Sequence, residues 1–91
     1  MNPKEYKYRY ISAAGSYLVA TGRGKLHSIV VNTTAADTII ASNSLTTTSP
    51  TIATLKADVP EGTYLYDVVF SIGLFITTAA DSDITVTYSQ P

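Results

Sequence analysis

Thr63-Tyr64-Leu65-Tyr66-Asp67-Val68-Val69-Phe70 is the stretch that decides the fold of this 91-residue chain. Tyr64, Tyr66, Val68 and Phe70 fall on one side of an extended segment, and Thr63, Leu65 and Asp67 on the other. Successive side chains of a strand point to opposite faces, so the alternation predicts a strand with one buried face. Asp83-Ile84-Thr85-Val86-Thr87-Tyr88 repeats the pattern, with Ile84, Val86 and Tyr88 inward and Thr85 and Thr87 outward. Pro60-Glu61-Gly62 supplies a turn ahead of the first of these strands.

Outward from that pair, the same period recurs and no helical period competes with it. Tyr6, Tyr8 and Tyr10 share one face of an opening strand, and Lys7 and Arg9 share the other. As an edge strand, this segment would set its tyrosines against the core and its charges in solvent, which deters edge-to-edge aggregation. Ser16 to Ala20 is a short apolar strand ended by Thr21-Gly22-Arg23-Gly24. In Leu26 to Thr33, Leu26 and Val30 point one way and Ile29 and Val31 the other. Asp37 to Ser42, Thr51 to Lys56 and Leu74 to Thr77 complete the set, with Asn43 to Pro50 as a polar loop. About eight short strands at this spacing predict an all-β fold, a compact antiparallel sandwich of two sheets. A jelly-roll-like arrangement is expected, with an immunoglobulin-like topology as the runner-up. One domain spans residues 1–91, with 1–10 as an N-terminal arm or edge strand.

Composition agrees. Ser and Thr supply 23 of the 91 residues, and the bulky apolar residues are mostly β-branched or aromatic, a mixture suited to pleated strands. The chain has no Cys and one His, so disulfides, thiolate metal sites and two-imidazole mechanisms are excluded. No apolar run approaches the roughly 18 residues of a membrane span. A domain this small buries only about two-thirds of its unfolded surface, so self-association would add burial it lacks.

Candidate chemistry is sparse. His27 stands without companions that could share a metal, and a strand histidine is the simpler reading. Asp81 and Asp83 fit ordinary turn chemistry better than a calcium site. Gly22-Arg23-Gly24 lacks the spacing and the following helix of a phosphate loop. No enzyme, no cofactor and no metal are therefore expected. Thr33-Thr34-Ala35-Ala36-Asp37 recurs as Thr77-Thr78-Ala79-Ala80-Asp81, which reads as two hairpins using the same turn chemistry.

Charge is unevenly spread. Up to Lys25 there are five basic residues, Lys4, Lys7, Arg9, Arg23 and Lys25, against Glu5 alone. Beyond it Lys56 opposes Asp37, Asp58, Glu61, Asp67, Asp81 and Asp83. Such asymmetry favours docking between copies or a basic arm laid on an acidic neighbour. Lys4, Tyr6, Lys7, Tyr8, Arg9 and Tyr10 are the candidate docking arm, and Arg23 and Lys25 the candidate rim contacts. Five basic residues with an acidic remainder fall short of a nucleic-acid surface. Apolar residues on both faces of Leu26 to Val31, and an outward Phe75 between inward Leu74 and Ile76, suggest an oligomer. Ile29, Val31 and Phe75 are the candidate subunit interface.

Gly24 to Thr34, Ile52 to Lys56, Pro60 to Thr63, Val69 to Leu74 and Asp83 to Tyr88 resemble, in order and spacing, small β-sandwich proteins of tailed-bacteriophage structural modules. The resemblance implies a capsid decoration (cement) protein on the outer virion surface, made in the host cytoplasm. It would bind and bridge major capsid protein subunits as a homotrimer, with no nucleic acid, membrane or small-molecule partner. A neck, tail or fibre protein, or a carbohydrate-binding adhesin module, is the alternative.

Overall fold

A computed structural model of the chain describes residues 6–34 and 36–91. Eight strands follow one another: β1 (Lys7–Ile11), β2 (Gly15–Thr21), β3 (Gly24–Thr33), β4 (Ile39–Ser42), β5 (Thr51–Leu55), β6 (Gly62–Phe70), β7 (Gly73–Thr78) and β8 (Asp83–Ser89). They form two four-stranded sheets, ordered β1-β8-β3-β6 and β2-β7-β4-β5, and every pairing is antiparallel. Among the described residues, only β4 and β5 are joined as a hairpin within one sheet; every other connection between these strands crosses from one sheet to the other. That order is the jelly roll, two interleaved Greek keys, and it displaces the immunoglobulin-like alternative. The two Thr-Thr-Ala-Ala-Asp segments also read differently in this topology. They are sheet-crossing loops after β3 and across the end of β7, not hairpins.

The core lies between the sheets. Phe70, Leu26, Leu74, Ile76, Ile84 and Val86 are fully buried, joined by Ile11, Ile29, Val31 and Ile39. Each such side chain contributes about 1.5–3 kcal/mol by leaving water. The inward and outward sets of β6 and β8 follow the alternation of their sequences. Tyr64 lies level with buried Ile29, and Leu65 with Ser28 on the outer face.

β3 breaks the expected alternation. Its register with both neighbours shifts between Leu26 and Ser28. A bulge of this kind changes which face the following residues occupy. Leu26 therefore points inward, His27 and Ser28 lie on the outer side, and Ile29 and Val31 return to the core at 1% exposure each. Ile29 and Val31 cannot serve as a subunit interface, because the chain's own core consumes them.

The opening strand is also turned over. Tyr8 pairs with Thr87 and Tyr10 with Thr85 on the outer face, whereas Lys7 and Arg9 lie level with Tyr88 and Val86 on the inner side. β1 is an edge strand, so that inner side opens onto solvent at the rim. Arg9 sets its guanidinium 5.6 Å from the ring centre of Tyr17 across the sandwich edge, a cation–π contact. Tyr17 anchors itself by donating to the Ala13 carbonyl at 2.7 Å.

Two carboxylates pin the loops at one end. The backbone N–H and hydroxyl of Thr34 both donate to Glu61 Oε2, and these bonds hold the Glu61 carboxyl below its ordinary value of 4.5. Asp83 is held below 3.8 by a hydrogen bond from the Tyr10 hydroxyl, helped by Asn32 and Thr33. A carboxyl with a depressed folded-state pKa stabilises the fold above its unfolded value, and that stability is lost as pH falls through the folded value. The urea midpoint should therefore drop as pH falls below these ordinary values, and Glu61→Gln should flatten part of the decline.

Candidate functional site

Three surfaces could do work. The first is the outer face of the β1-β8-β3-β6 sheet. Across it run transverse rows: Tyr8, Thr87, Ser28 and Leu65 in one, Tyr10, Thr85, Val30 and Thr63 in the next. Tyr8 is 72% exposed, Leu65 65% and Val69 63%. The aromatic residues line the β1 edge and the aliphatic ones the β6 edge, and between them lies a polar strip.

That strip is ordered. Ser28 and Thr87 hydroxyls meet at 2.6 Å. His27 Nδ1 lies 2.7 Å from Asp67 Oδ1, and the His27 ring stacks on Tyr6 with centroids 4.1 Å apart and planes 15° apart. Asp67 takes a left-handed backbone conformation, φ 51°, opposite the β3 bulge, a geometry that Asp tolerates better than most residues. A His–Asp pair could orient a proton donor. The adjacent Ser28 hydroxyl meets Thr87 instead, and His27 links Tyr6, just ahead of β1, to Asp67 of β6.

The second surface is the end of the sandwich that carries the β1–β2, β3–β4, β5–β6 and β7–β8 connections. Asp37, Asp58, Glu61, Asp81 and Asp83 all stand there, opposed by Lys56. Asp81 accepts from the Ala14 N–H at 3.0 Å and Asp37 from the Thr38 N–H at 2.7 Å. Asp37, Asp58, Glu61 and Asp81 are exposed.

The third is the opposite end. Its connections, 22–23, 43–50 and 71–72, contain no carboxylate side chain. Arg23 and Lys25 meet there on an open depression of about 400 Å³, lined also by Val69, Ser89, Gln90 and Pro91. Gln90 ties the tail down by donating to the carbonyls of Thr21 and Arg23.

The expected site residues thus divide. Tyr6, Tyr8 and Tyr10 come together on the outer face, and Lys7 and Arg9 line the same edge from its other side. Lys4 lies outside the described residues. Arg23 and Lys25 share one depression. Phe75 is half-buried on the outer face of the other sheet, level with Leu18 and Ser42 and far from the rest in the strand order. Leu65 and Val69 were not singled out by the sequence as contact residues, although the outward position of Leu65 follows from the alternation of β6. The His27–Asp67 pair joins residues 40 positions apart, with no local signal to mark it. Among the described residues, no group of three or more His, Cys, Asp or Glu side chains could hold a metal ion.

No family model matches the chain, and no curated protein matches it in sequence. Its fold is similar to the crystal structure of the Drosophila NLP core, for which pentamer formation and histone binding are described. The two share 12% identity at a TM-score of 0.55, over 94% of this chain and 97% of that one. The likeness establishes the fold. It also corrects the phage resemblance, and with it the roles of decoration, neck, tail, fibre or adhesin protein, the major capsid protein as partner and the homotrimer. A solved structure that shares this fold is one for which pentamer formation and histone binding are described, from Drosophila. The strand-and-turn phrases behind the resemblance, such as Gly24 to Thr34, encode a jelly-roll strand and its turns, and that geometry serves many roles.

Proposed function

We propose that this chain is a non-enzymatic assembly protein that forms a closed ring and offers its carboxylate-bearing end to a basic protein. One observation carries this function: folding converts a charge split along the sequence into a charge split along the molecule. Five carboxylates stand at one end of the sandwich, and Arg23 and Lys25 stand at the other. A field of one sign at one pole attracts and orients an oppositely charged partner. The Drosophila NLP core supports both halves of the proposal, since pentamer formation and histone binding are described for a protein of this fold.

The test is a binding titration with labelled core histones. Asp37→Asn, Asp58→Asn and Asp81→Asn together remove three charges but keep the side-chain oxygens that accept from Thr38 and Ala14. At about 0.2–1 kcal/mol per exposed charge, the triple variant should bind roughly tenfold more weakly at low salt. Raising the salt should narrow the difference, because exposed charges are screened. Equal affinity of wild type and variant at low salt would remove the acidic end from the mechanism.

A further inference from the structure

The outer face of the β2-β7-β4-β5 sheet is free of charge. None of the residues of β2, β4, β5 and β7 is Asp, Glu, Lys, Arg or His. The other sheet carries Lys7, Arg9, Lys25, His27, Asp67 and Asp83. Two transverse rows make up the uncharged face: Leu18, Phe75 and Ser42 in one, Ser16, Thr77, Ile40 and Thr54 in the next. Leu18 is 42% exposed, and Phe75 and Ile40 are half-buried and set apart from the core. The Ser42 and Thr77 hydroxyls are shielded from water and have no hydrogen-bond partner. Covering this face would therefore strip water from no charge and from few hydroxyls, the costly part of burying any surface. Depletion of charge of this kind marks the centre of protein interfaces.

We infer that this face packs on the same face of a second copy, about a two-fold axis running along the strands. That rotation exchanges β2 with β5 and β7 with β4. Phe75 of one copy then stands over Ser42 of the other, and Ile40 over Thr77. Large side chains meet small ones, as they do where stacked sheets interdigitate. The molecule measures 37 × 24 × 17 Å, so a broad face offers about 700 Å², close to the roughly 800 Å² each partner buries in a stable interface. Of the three residues expected at a subunit contact, Phe75 alone stays available, since Ile29 and Val31 are in the core. The contact goes beyond the proposed function and depends on neither the ring nor a basic partner. Because the axis follows the strands, the pair carries both acidic ends on one side.

The experiment is sedimentation equilibrium and native mass spectrometry of the full chain and of two double variants. Ser16 and Thr54 face each other across the axis. Ser16→Asp with Thr54→Asp therefore opposes like charges, and Ser16→Asp with Thr54→Lys opposes unlike ones. Both residues are exposed, on opposite edges of the sheet, so both variants should melt within a few degrees of wild type. Wild type should contain an even number of copies, because a two-fold contact pairs every copy. The like-charge variant should pair about tenfold more weakly or worse, and the opposite-charge variant within a few-fold of wild type. Monomeric wild type, or an odd number of copies, would overturn the contact. So would two variants that pair equally well or equally badly.

Discussion

Gly24→Ala should destabilise the fold by about 3 kcal/mol, at the upper end of the usual cost of overpacking a core. A Cβ at this position would stand 2.5 Å from Phe70 Cζ and 2.6 Å from the Ser89 carbonyl oxygen. Neither can move aside. Phe70 is fully buried, and Ser89 is held in the ladder opposite Lys25. Glycine is needed here because the aromatic ring at the end of β6 lies directly against the β3 backbone. Removing the ring relieves one of the two clashes and leaves the Ser89 carbonyl, so Gly24→Ala should cost less, but still a measurable amount, in a Phe70→Leu background than in wild type. A double-mutant cycle by urea denaturation would measure that coupling. Additive costs would show that the ring is not what excludes the methyl group.

Asn43→Ala should cost about 2 kcal/mol. Asn43 Oδ1 accepts from the N–H groups of Ser71, Ile72 and Gly73 at 3.1, 2.8 and 3.4 Å, and Nδ2 donates to Ser71 Oγ. One side chain thus satisfies the backbone of the turn by which the chain crosses from β6 to β7. Each bond is worth about 1 kcal/mol net, and water can reach the Ser71 and Ile72 groups but not the buried Gly73 as readily. Asn43→Asp keeps the acceptor and should recover most of the loss. A urea midpoint unchanged in Asn43→Ala would mean that the turn holds its shape without the side chain.

These two positions also mark where sequence reading stops. The alternation in Tyr64, Tyr66, Val68 and Phe70 and in Ile84, Val86 and Tyr88 was legible, because it depends only on the two-residue period of a strand. The sandwich follows from it. The inward turn of Ile29 and Val31 was not legible, since the bulge at His27 is a relation between three strands and leaves no trace in β3 alone. The facing of β1 is hidden for a similar reason. Alternating Tyr with Lys and Arg reads as an apolar face and a charged face, but at a sheet edge the long charged side chains can lie on the inner side and still reach water. Asn43 looked like one polar loop residue among several, because its partners lie 28 to 30 positions away.

The charge split shows both limits at once. Five basic residues precede the acidic majority, and this much is plain in the sequence. Only the strand order reveals that Asp37, Asp58, Glu61, Asp81 and Asp83 gather at one end while Arg23 and Lys25 stand at the other.

The most direct test of the proposed function is sedimentation velocity of the full chain mixed with labelled core histones at low salt. The label should move in a single boundary heavier than either histone or ring alone, and it should return to the free-histone position at high salt. Histones that sediment at their free rate beside an undisturbed ring, at every concentration tried, would contradict it.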